Sequence, residues 1–161
     1  MRLLLAAALY AVTGAALALP AAAQTAAAPA TAKLYAAPQE YDAAVAAGRA
    51  AATMTPQMLV ANGPYRAQVE HRDKPTPASL HEATDEFISV TGGSGTIVIG
   101  GTLKDQTRRN PTNLSGSGIE GGTPYTVAKG SYFLIPAGTP HYFASMGPEG
   151  LTIVALHVPK Q

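Results

Sequence analysis

The chain of 161 residues contains no cysteine, and only 13% of its residues are charged. The absence of cysteine excludes disulfide bonds, thiolate metal sites and cysteine nucleophiles together. The folded state must therefore be stabilised by its apolar core, and any metal must be bound by histidine and carboxylate groups.

The charged side chains show no excess of either sign. Lysine and arginine number 11 against 10 aspartates and glutamates, and Arg2 is the only charged residue among the first 23. No basic patch or acidic run follows, so we expect no nucleic-acid partner. Residues 92–95 (GGSG) lie between predicted strands with no helix after them, which excludes a phosphate-binding loop there. No Gly-x-Ser-x-Gly elbow indicates a serine nucleophile.

The first 23 residues have the features of a bacterial export signal. Arg2 gives a short positive start, residues 3–19 are apolar apart from Thr13 and Gly14, and residues 20–23 (PAAA) form a small-residue cleavage site. An uncleaved membrane anchor is disfavoured, because 17 residues are at the lower limit for a spanning helix and no basic cluster follows. We therefore predict a signal peptide at residues 1–23, a periplasmic or secreted protein, and no stable membrane insertion after cleavage.

Changes of composition along the chain predict two further regions. Residues 24–33 are rich in Ala, Thr and Pro, which is typical of a linker, and residues 38–54 have a helix-forming Ala background weakened by Gly48. Core-forming residues concentrate after Leu59. We therefore predict a flexible linker with one short helix over residues 24–60 and one packed domain over residues 61–161.

The region after Pro64 has a pattern of short strands. Apolar and polar residues alternate from Tyr65 onward, which predicts a first strand with Ala67, Val69 and His71 on its apolar side. Six more strands are predicted at residues 86–91, 96–99, 125–127, 131–135, 141–144 and 152–158, separated by Gly- and Pro-containing turns. Many short strands separated in this way predict an all-β sandwich or barrel.

A polar segment over residues 103–122 interrupts this pattern. Its length is typical of either a functional lid or a mobile connection. Leu114 and Ile119 could anchor it, so we expect an ordered loop at the rim of the barrel. Arg108 and Arg109 in this loop could bind a substrate carboxylate, but a solvated pair is the simpler interpretation.

The segment 79–86 (SLHEATDE) contains the first pair of candidate ligands. His81 is predicted to end one strand and Glu86 to open the next. A short turn at Thr84-Asp85 would bring both side chains to the same interior. Imidazole and carboxylate together suit a divalent first-row metal.

The segment 130–141 (GSYFLIPAGTPH) contains the third candidate ligand. Pro136-x-Gly138 predicts a tight hairpin turn, with His141 just past it on the return strand. Two imidazoles and one carboxylate would leave coordination positions open on a bound metal, which is the arrangement of non-haem iron oxygenases.

These two segments resemble the two conserved motifs of the cupin superfamily, in the order and at the spacing of that family. The matching residues are His81, Glu86 and Gly93 in the first motif and Gly130, Pro136, Gly138 and His141 in the second. The resemblance covers about residues 65–158. It implies an all-β cupin double-stranded β-helix, a jelly-roll-like barrel, here preceded by a short N-terminal helical segment.

The sequence departs from the cupin pattern at two positions. Ser79 stands where the first motif has its first histidine, and Ser145 stands where the second motif has its closing asparagine. The four-ligand site of the family therefore becomes a three-ligand site of His81, Glu86 and His141. The resemblance implies a divalent metal (Fe, Mn, Ni or Zn), a small-molecule ligand or substrate, and association as a homodimer.

Other candidate residues have a structural interpretation that we prefer. His71 lies on the apolar side of its strand and His157 lies between apolar neighbours, so both are predicted to be packed histidines rather than ligands. Asp85 would replace Glu86 if the turn differed by one residue, and Glu82 is predicted to be a solvated turn residue. The aromatic residues predicted to form core and pocket wall are Tyr132, Phe133, Tyr142 and Phe143.

These expectations are compatible with more than one function. A metal-dependent enzyme of the oxygenase or isomerase type would use the metal to polarise a small oxygen-bearing substrate or to activate O2. The alternatives are a non-catalytic cupin that binds a small ligand and a metal-free structural cupin. The sequence ranks the metal-binding, small-molecule cupin first and leaves catalysis open.

Overall fold

The computed structural model describes residues 32–160, which form one helix and eleven strands. The elements are α1 (Pro38–Ala50), β1 (Gln57–Asn62), β2 (Tyr65–Arg72), β3 (Ala78–His81), β4 (Thr84–Ile99), β5 (Thr102–Lys104), β6 (Thr107–Asn110), β7 (Asn113–Gly116), β8 (Gly118–Glu120), β9 (Thr123–Ala128), β10 (Tyr132–Ile135) and β11 (His141–Pro159). The predicted signal peptide lies outside the described residues. Within them, no helix is both long and apolar enough to cross a membrane.

The two long strands β4 and β11 pair antiparallel over nearly their whole length and form the centre of the fold. At one end the strand order is β1-β2-β11-β4-β10, and at the other end it is β6-β7-β3-β11-β4-β9. Each long strand therefore belongs to both groups of neighbouring strands. Together the strands form the all-β barrel expected from the sequence.

Glycines allow the two long strands to bend where they pass from one group of neighbours to the other. Gly93 has a φ of +72°, and a Cβ atom there would lie 2.0 Å from the carbonyl oxygen of Gly150. The predicted turn at residues 92–95 is therefore wrong, because this segment is a bend within β4 and not a break between two strands. The predicted turn at Gly147-Pro148 likewise lies within β11, at a shift of register.

The helix α1 packs against the outer side of β2 and β1. It begins with Pro38 at its first position, and the carboxylate of Glu40 accepts the backbone N–H of Ala37 at 2.8 Å. It ends at Ala50 rather than near residue 54, because the chain must turn back to begin β1 at Gln57. The predicted start of the packed domain at residue 61 falls inside β1.

Two apolar clusters fill the described part of the chain. The larger lies between the two groups of strands and consists of Ile88, Val90, Ile97, Val127, Ile135, Phe143, Leu151, Ile153 and Ala155. The smaller consists of Ala78, Leu103 and Leu114, with Ile119 packed against it. The polar segment 103–122 is therefore ordered, and Leu114 and Ile119 anchor it as expected from the sequence. The expectation of a loop is wrong, because this segment forms the short strands β5 to β8.

Candidate metal centre

His81 and Glu86 are brought together by the connection between β3 and β4. His81 is the last residue of β3, as predicted. The turn lies at Glu82-Ala83 rather than at Thr84-Asp85, so that prediction is wrong by two residues. The reason is that β11 continues to pair with β4 as far as Thr84, which extends the strand beyond the predicted start at Glu86.

His141 is the first residue of β11 and follows the turn at Pro136–Gly138. This turn is not the predicted hairpin, because β10 pairs with β4 while the start of β11 pairs with β3 and the far end of β4. Gly138 has a φ of +79°, and its backbone N–H donates to the carbonyl of His81 at 2.7 Å. The turn that precedes His141 is thus fastened directly to the backbone of His81.

The three predicted ligands converge inside the barrel. Nε2 of His141 lies 3.1 Å from Oε2 of Glu86, and Nε2 of His81 lies 3.6 Å from the same oxygen. The ring centroids of the two histidines are 5.3 Å apart. The predicted spatial convergence of these side chains is therefore present in the structure.

A fourth residue, His157, belongs to the same cluster and was not selected from the sequence. Its partner across β4 and β11 is Glu86, and its Nε2 lies 3.8 Å from Oε1 of that carboxylate. Ligand atoms of His81, Glu86 and His157 all lie within 4.8 Å of one another. His157 is buried, as predicted for a packed histidine, but it lies beside Glu86, while Ile153 and Ala155 of the larger core cluster lie on the same side of β11.

Hydrogen bonds orient the rings of His81 and His141. Nδ1 of His81 donates to Oδ1 of Asn113 at 2.7 Å, and Nδ1 of His141 donates to the carbonyl of Thr139 at 3.2 Å. With Nδ1 as the donor, Nε2 of a neutral ring has a free lone pair. Both lone pairs are therefore on the nitrogen that lies next to Glu86.

The ring of His157 has the same tautomer for a different reason. Gln68 Nε2 donates to Oε1 of Glu70 at 2.7 Å, which fixes the amide orientation, and the same nitrogen lies 3.4 Å from Nε2 of His157. Because an amide nitrogen is only a donor, Nε2 of His157 is the acceptor, and its buried Nδ1 has no hydrogen-bond partner among the described residues. A metal bound by Nε2 of His157 would replace the contact with Gln68. Burial, with Arg66 and His81, lowers the pKa of His157 against the opposing effect of Glu86, so the ring is neutral at neutral pH.

Glu86 is an ionised carboxylate deep in the barrel. Its burial raises the pKa, but the interactions with His141 above all, and with His157 and His81, outweigh burial and lower the pKa to about 2. Its Oε2 atom has no hydrogen-bond partner among the described residues.

A buried anion that faces lone pairs instead of donors is costly unless a cation lies among them. Three imidazole nitrogens and a carboxylate oxygen are the ligands that first-row divalent metals accept. The side chains present therefore fit a metal ion, and the group of His81, Glu86 and His157 could hold one.

Other residues selected from the sequence lie outside this cluster. His71 contacts Thr152 on the outer side of β2, with Nδ1 2.9 Å from Oγ1, and is the packed residue that was predicted. Asp85 accepts the backbone N–H of Ala137 at 2.7 Å, which excludes it as a replacement for Glu86. Glu82 is exposed at the surface.

The aromatic residues divide between wall and surface. Tyr142 and Phe143 line the cavity at the mouth of the barrel, as predicted, and Phe133 packs against the larger core cluster. Tyr132 is 65% exposed, so its assignment to the core is wrong. It lies on β10, which has β4 as its strand partner, and its ring contacts that of Phe87 at the surface.

The inner side of β2 is polar, which the sequence pattern did not predict. Gln68, Glu70 and Arg72 are all buried, at 8%, 4% and 9% exposure. Arg72 forms an ion pair with Glu70 and lies over the ring of Phe143, 4.5 Å from its centroid. Both sides of β2 are covered because α1 packs on the outside, so alternation alone could not identify the side that faces the barrel interior.

A cavity of about 510 Å³ opens at the mouth of the barrel and extends to the histidines. Ser79, His81 and His141 contribute to its lining. Ser79 pairs with His141 across β3 and β11, so the serine that replaces the expected histidine borders the same space. A volume in this range is typical of sites for small molecules.

No family model matches the chain, and no curated protein matches it. Solved structures match it in fold. A protein of Bacillus halodurans aligns with a TM-score of 0.53 and 17% identity, over 80% of this chain and 83% of its own. Hydroquinone 1,2-dioxygenase PnpCD, in complex with Cd²⁺ and 4-hydroxybenzonitrile, aligns with a TM-score of 0.55 and 14% identity, over 81% of this chain and 82% of its own.

Identities this low establish the fold and nothing more. The structural neighbours are cupin-fold proteins, and the strands described above have the same antiparallel barrel arrangement. The described part of this chain is therefore an all-β cupin barrel with one short helix.

Proposed function

We propose that this protein is a small exported cupin that binds a divalent metal and takes a small molecule in the cavity above it. The proposed ligands are the predicted His81, Glu86 and His141, together with His157. Two alternative three-ligand sets share His81 and Glu86 and differ in the second histidine, and the three histidines surround the carboxylate of Glu86.

The observation that supports this proposal best is the state of Glu86. Its Oε2 atom is buried without a hydrogen-bond donor, although ring nitrogens lie 3.1 and 3.6 Å away. A site evolved only for packing would place N–H groups or apolar atoms against that oxygen. When the rings are neutral, the Nε2 lone pairs of His81 and His141 face this oxygen, which is the expected arrangement around a cation.

The protein's own groups have distinct roles in this proposal. Asn113 and the carbonyl of Thr139 hold the rings of His81 and His141 by accepting their Nδ1–H groups, as outer partners of metal-binding histidines do. Glu86 supplies the negative charge. A bound Fe, Mn, Ni or Zn ion would supply Lewis-acid chemistry or O2 activation.

We favour an enzyme of the oxygenase or isomerase type over a non-catalytic binding module. The support is that Ser79 takes the place of a fourth family ligand and borders the cavity, so a metal held by three of the proposed ligands would have a coordination position open to the cavity. An open coordination position is the mark of catalytic rather than structural metal sites. A metal-free structural cupin would not need a buried carboxylate oxygen that lacks a hydrogen-bond donor.

Metal analysis of purified variants tests the proposal. Glu86→Ala and His141→Ala should each lose most of the bound metal while far-UV circular dichroism remains that of a β-protein. His71→Ala is the matched control, because His71 is a histidine of the same domain outside the cluster, and it should keep its metal. Full metal content in Glu86→Ala would refute the proposed ligand set.

The proposed export depends on residues 1–23 and has its own test. Mass spectrometry of the protein recovered from a bacterial periplasm should identify Gln24 as the first residue. Recovery of the intact chain from the cytoplasm alone would contradict export without affecting the metal proposal.

A further inference from the structure

We propose that the cavity above the metal centre takes a small organic monoanion, a carboxylate on a largely apolar body, and that Arg109 binds the carboxylate. The inference deepens the proposed function and rests on it, because the other end of such a ligand would lie against His81 and His141.

The two neighbouring arginines of β6 differ in their contacts. Arg108 binds the carboxylate of Glu82 through both terminal nitrogens, at 2.7 and 3.1 Å. Arg109 lines the cavity. Among the described residues, its side chain forms no hydrogen bond and no ion pair. Of the two, only Arg109 has a guanidinium that is free to bind a ligand in the cavity.

The other charged residues of the cavity wall largely cancel one another. Arg72 is neutralised by its ion pair with Glu70. Lys74 and Asp73 both line the cavity and have opposite signs. Outside the metal centre, the remaining positive charge of the wall is that of Arg109. A single uncompensated charge at that end of the cavity matches a singly charged group, and a guanidinium binds the two oxygens of a carboxylate with two parallel hydrogen bonds.

The rest of the cavity wall suits an apolar body. Met54, Pro75, Pro77, Leu114 and Phe143 all contribute to the lining. Burial of apolar ligand surface against such groups supplies binding energy, whereas the few polar groups fix the orientation. The guanidinium on β6 and the imidazoles on β3 and β11 would therefore hold the two ends of one small molecule.

Binding of phenylacetate and of its neutral analogue phenylacetamide tests the inference. Titrations followed by NMR should show phenylacetate binding about tenfold more tightly than phenylacetamide, the typical effect of one charged hydrogen-bonded contact. The preference should disappear in Arg109→Gln and remain in Arg108→Gln. A preference that persists in Arg109→Gln would overturn the inference.

The titrations should be made on both metal-loaded and EDTA-treated protein, with metal content measured in each variant. Both arginine variants should keep the metal of the wild type. If the wild type binds metal and shows no Arg109-dependent preference, this inference fails and the metal proposal stands. If it binds no metal, the metal proposal fails, and the preference in EDTA-treated protein still decides whether Arg109 selects carboxylates.

Discussion

Replacing Glu86 by glutamine should lower the stability of the metal-free protein by an amount that depends on pH. The pKa of Glu86 is about 2 in the folded protein against 4.5 for the free side chain. A difference of this size corresponds to about 3 kcal/mol of stability, since each pKa unit is worth about 1.4 kcal/mol. Glutamine has nearly the same shape and cannot ionise, so the variant lacks this contribution.

The direction of the pH dependence follows from the lowered pKa. A carboxylate whose pKa falls on folding stabilises the folded state fully above its unfolded pKa and not at all below its folded pKa. The difference in unfolding free energy between wild type and Glu86→Gln should therefore be small at pH 2 and reach about 3 kcal/mol near pH 5. The other carboxylates contribute equally to the unfolding free energies of the wild type and of Glu86→Gln, so their contributions cancel in the difference.

Urea unfolding followed by far-UV circular dichroism measures this difference in EDTA-treated protein. Glu82→Gln is a suitable control, because Glu82 also has an ion-pair partner but is exposed at the surface. The change in unfolding free energy caused by Glu82→Gln should be much smaller between pH 2 and pH 5. A difference between wild type and Glu86→Gln that stays constant from pH 2 to 5 would refute the assignment of Glu86 as an ionised, imidazole-stabilised group.

Three further predictions concern the backbone, the number of ligands and association. Gly93→Ala should destabilise the domain more than Gly130→Ala in urea unfolding: both positions have positive φ, which costs roughly 1–2 kcal/mol, but only at Gly93 would the new Cβ meet a backbone oxygen at 2.0 Å. Equal losses would contradict the close approach of β4 and β11. Ser79→His should tighten Zn²⁺ binding in calorimetric titration, and an unchanged affinity would show that position 79 does not face the metal. Leu134→Lys should convert a dimer into a monomer in light scattering, since this 67% exposed side chain lies on β10, whose second edge has no strand partner among the described residues. A monomeric wild type would refute the predicted homodimer.

The convergence of His81, Glu86 and His141 could be predicted because local features determine most of it. The Pro-x-Gly turn places His141 at the start of a strand, and a short connection separates His81 from Glu86. An error of two residues in that connection did not matter, since strand alternation still directs Glu86 inward. Short-range geometry of this kind is encoded in a few neighbouring residues.

His157 could not be selected in the same way, because its role depends on pairing between residues far apart in the sequence. It lies opposite Glu86 only in the observed register of β4 and β11, and a shift of one residue would turn it to the other side. Its apolar neighbours also resemble those of a packed histidine. A parity rule applied to Ile153 and Ala155, which are buried on the same side, would have placed it in the interior.

The bend in β4 and the polar side of β2 were missed for a related reason. In the sequence, two consecutive glycines are typical of a turn. In the structure, Gly93 instead makes room for the carbonyl of Gly150 on the partner strand. In β2 the alternation was recognised correctly, but Val69 packs outside under α1 and Glu70 lies inside the barrel. Which side is internal depends on tertiary packing that no local pattern specifies.

The central claim is that a divalent metal lies among His81, Glu86, His141 and His157. Anomalous X-ray diffraction from crystals of the zinc-loaded protein tests it most directly. We expect one strong peak inside the barrel, at roughly 2.0–2.2 Å from Nε2 of His81 and from a carboxylate oxygen of Glu86. Anomalous density found only elsewhere in the molecule, with the four side chains in their present positions, would contradict the account.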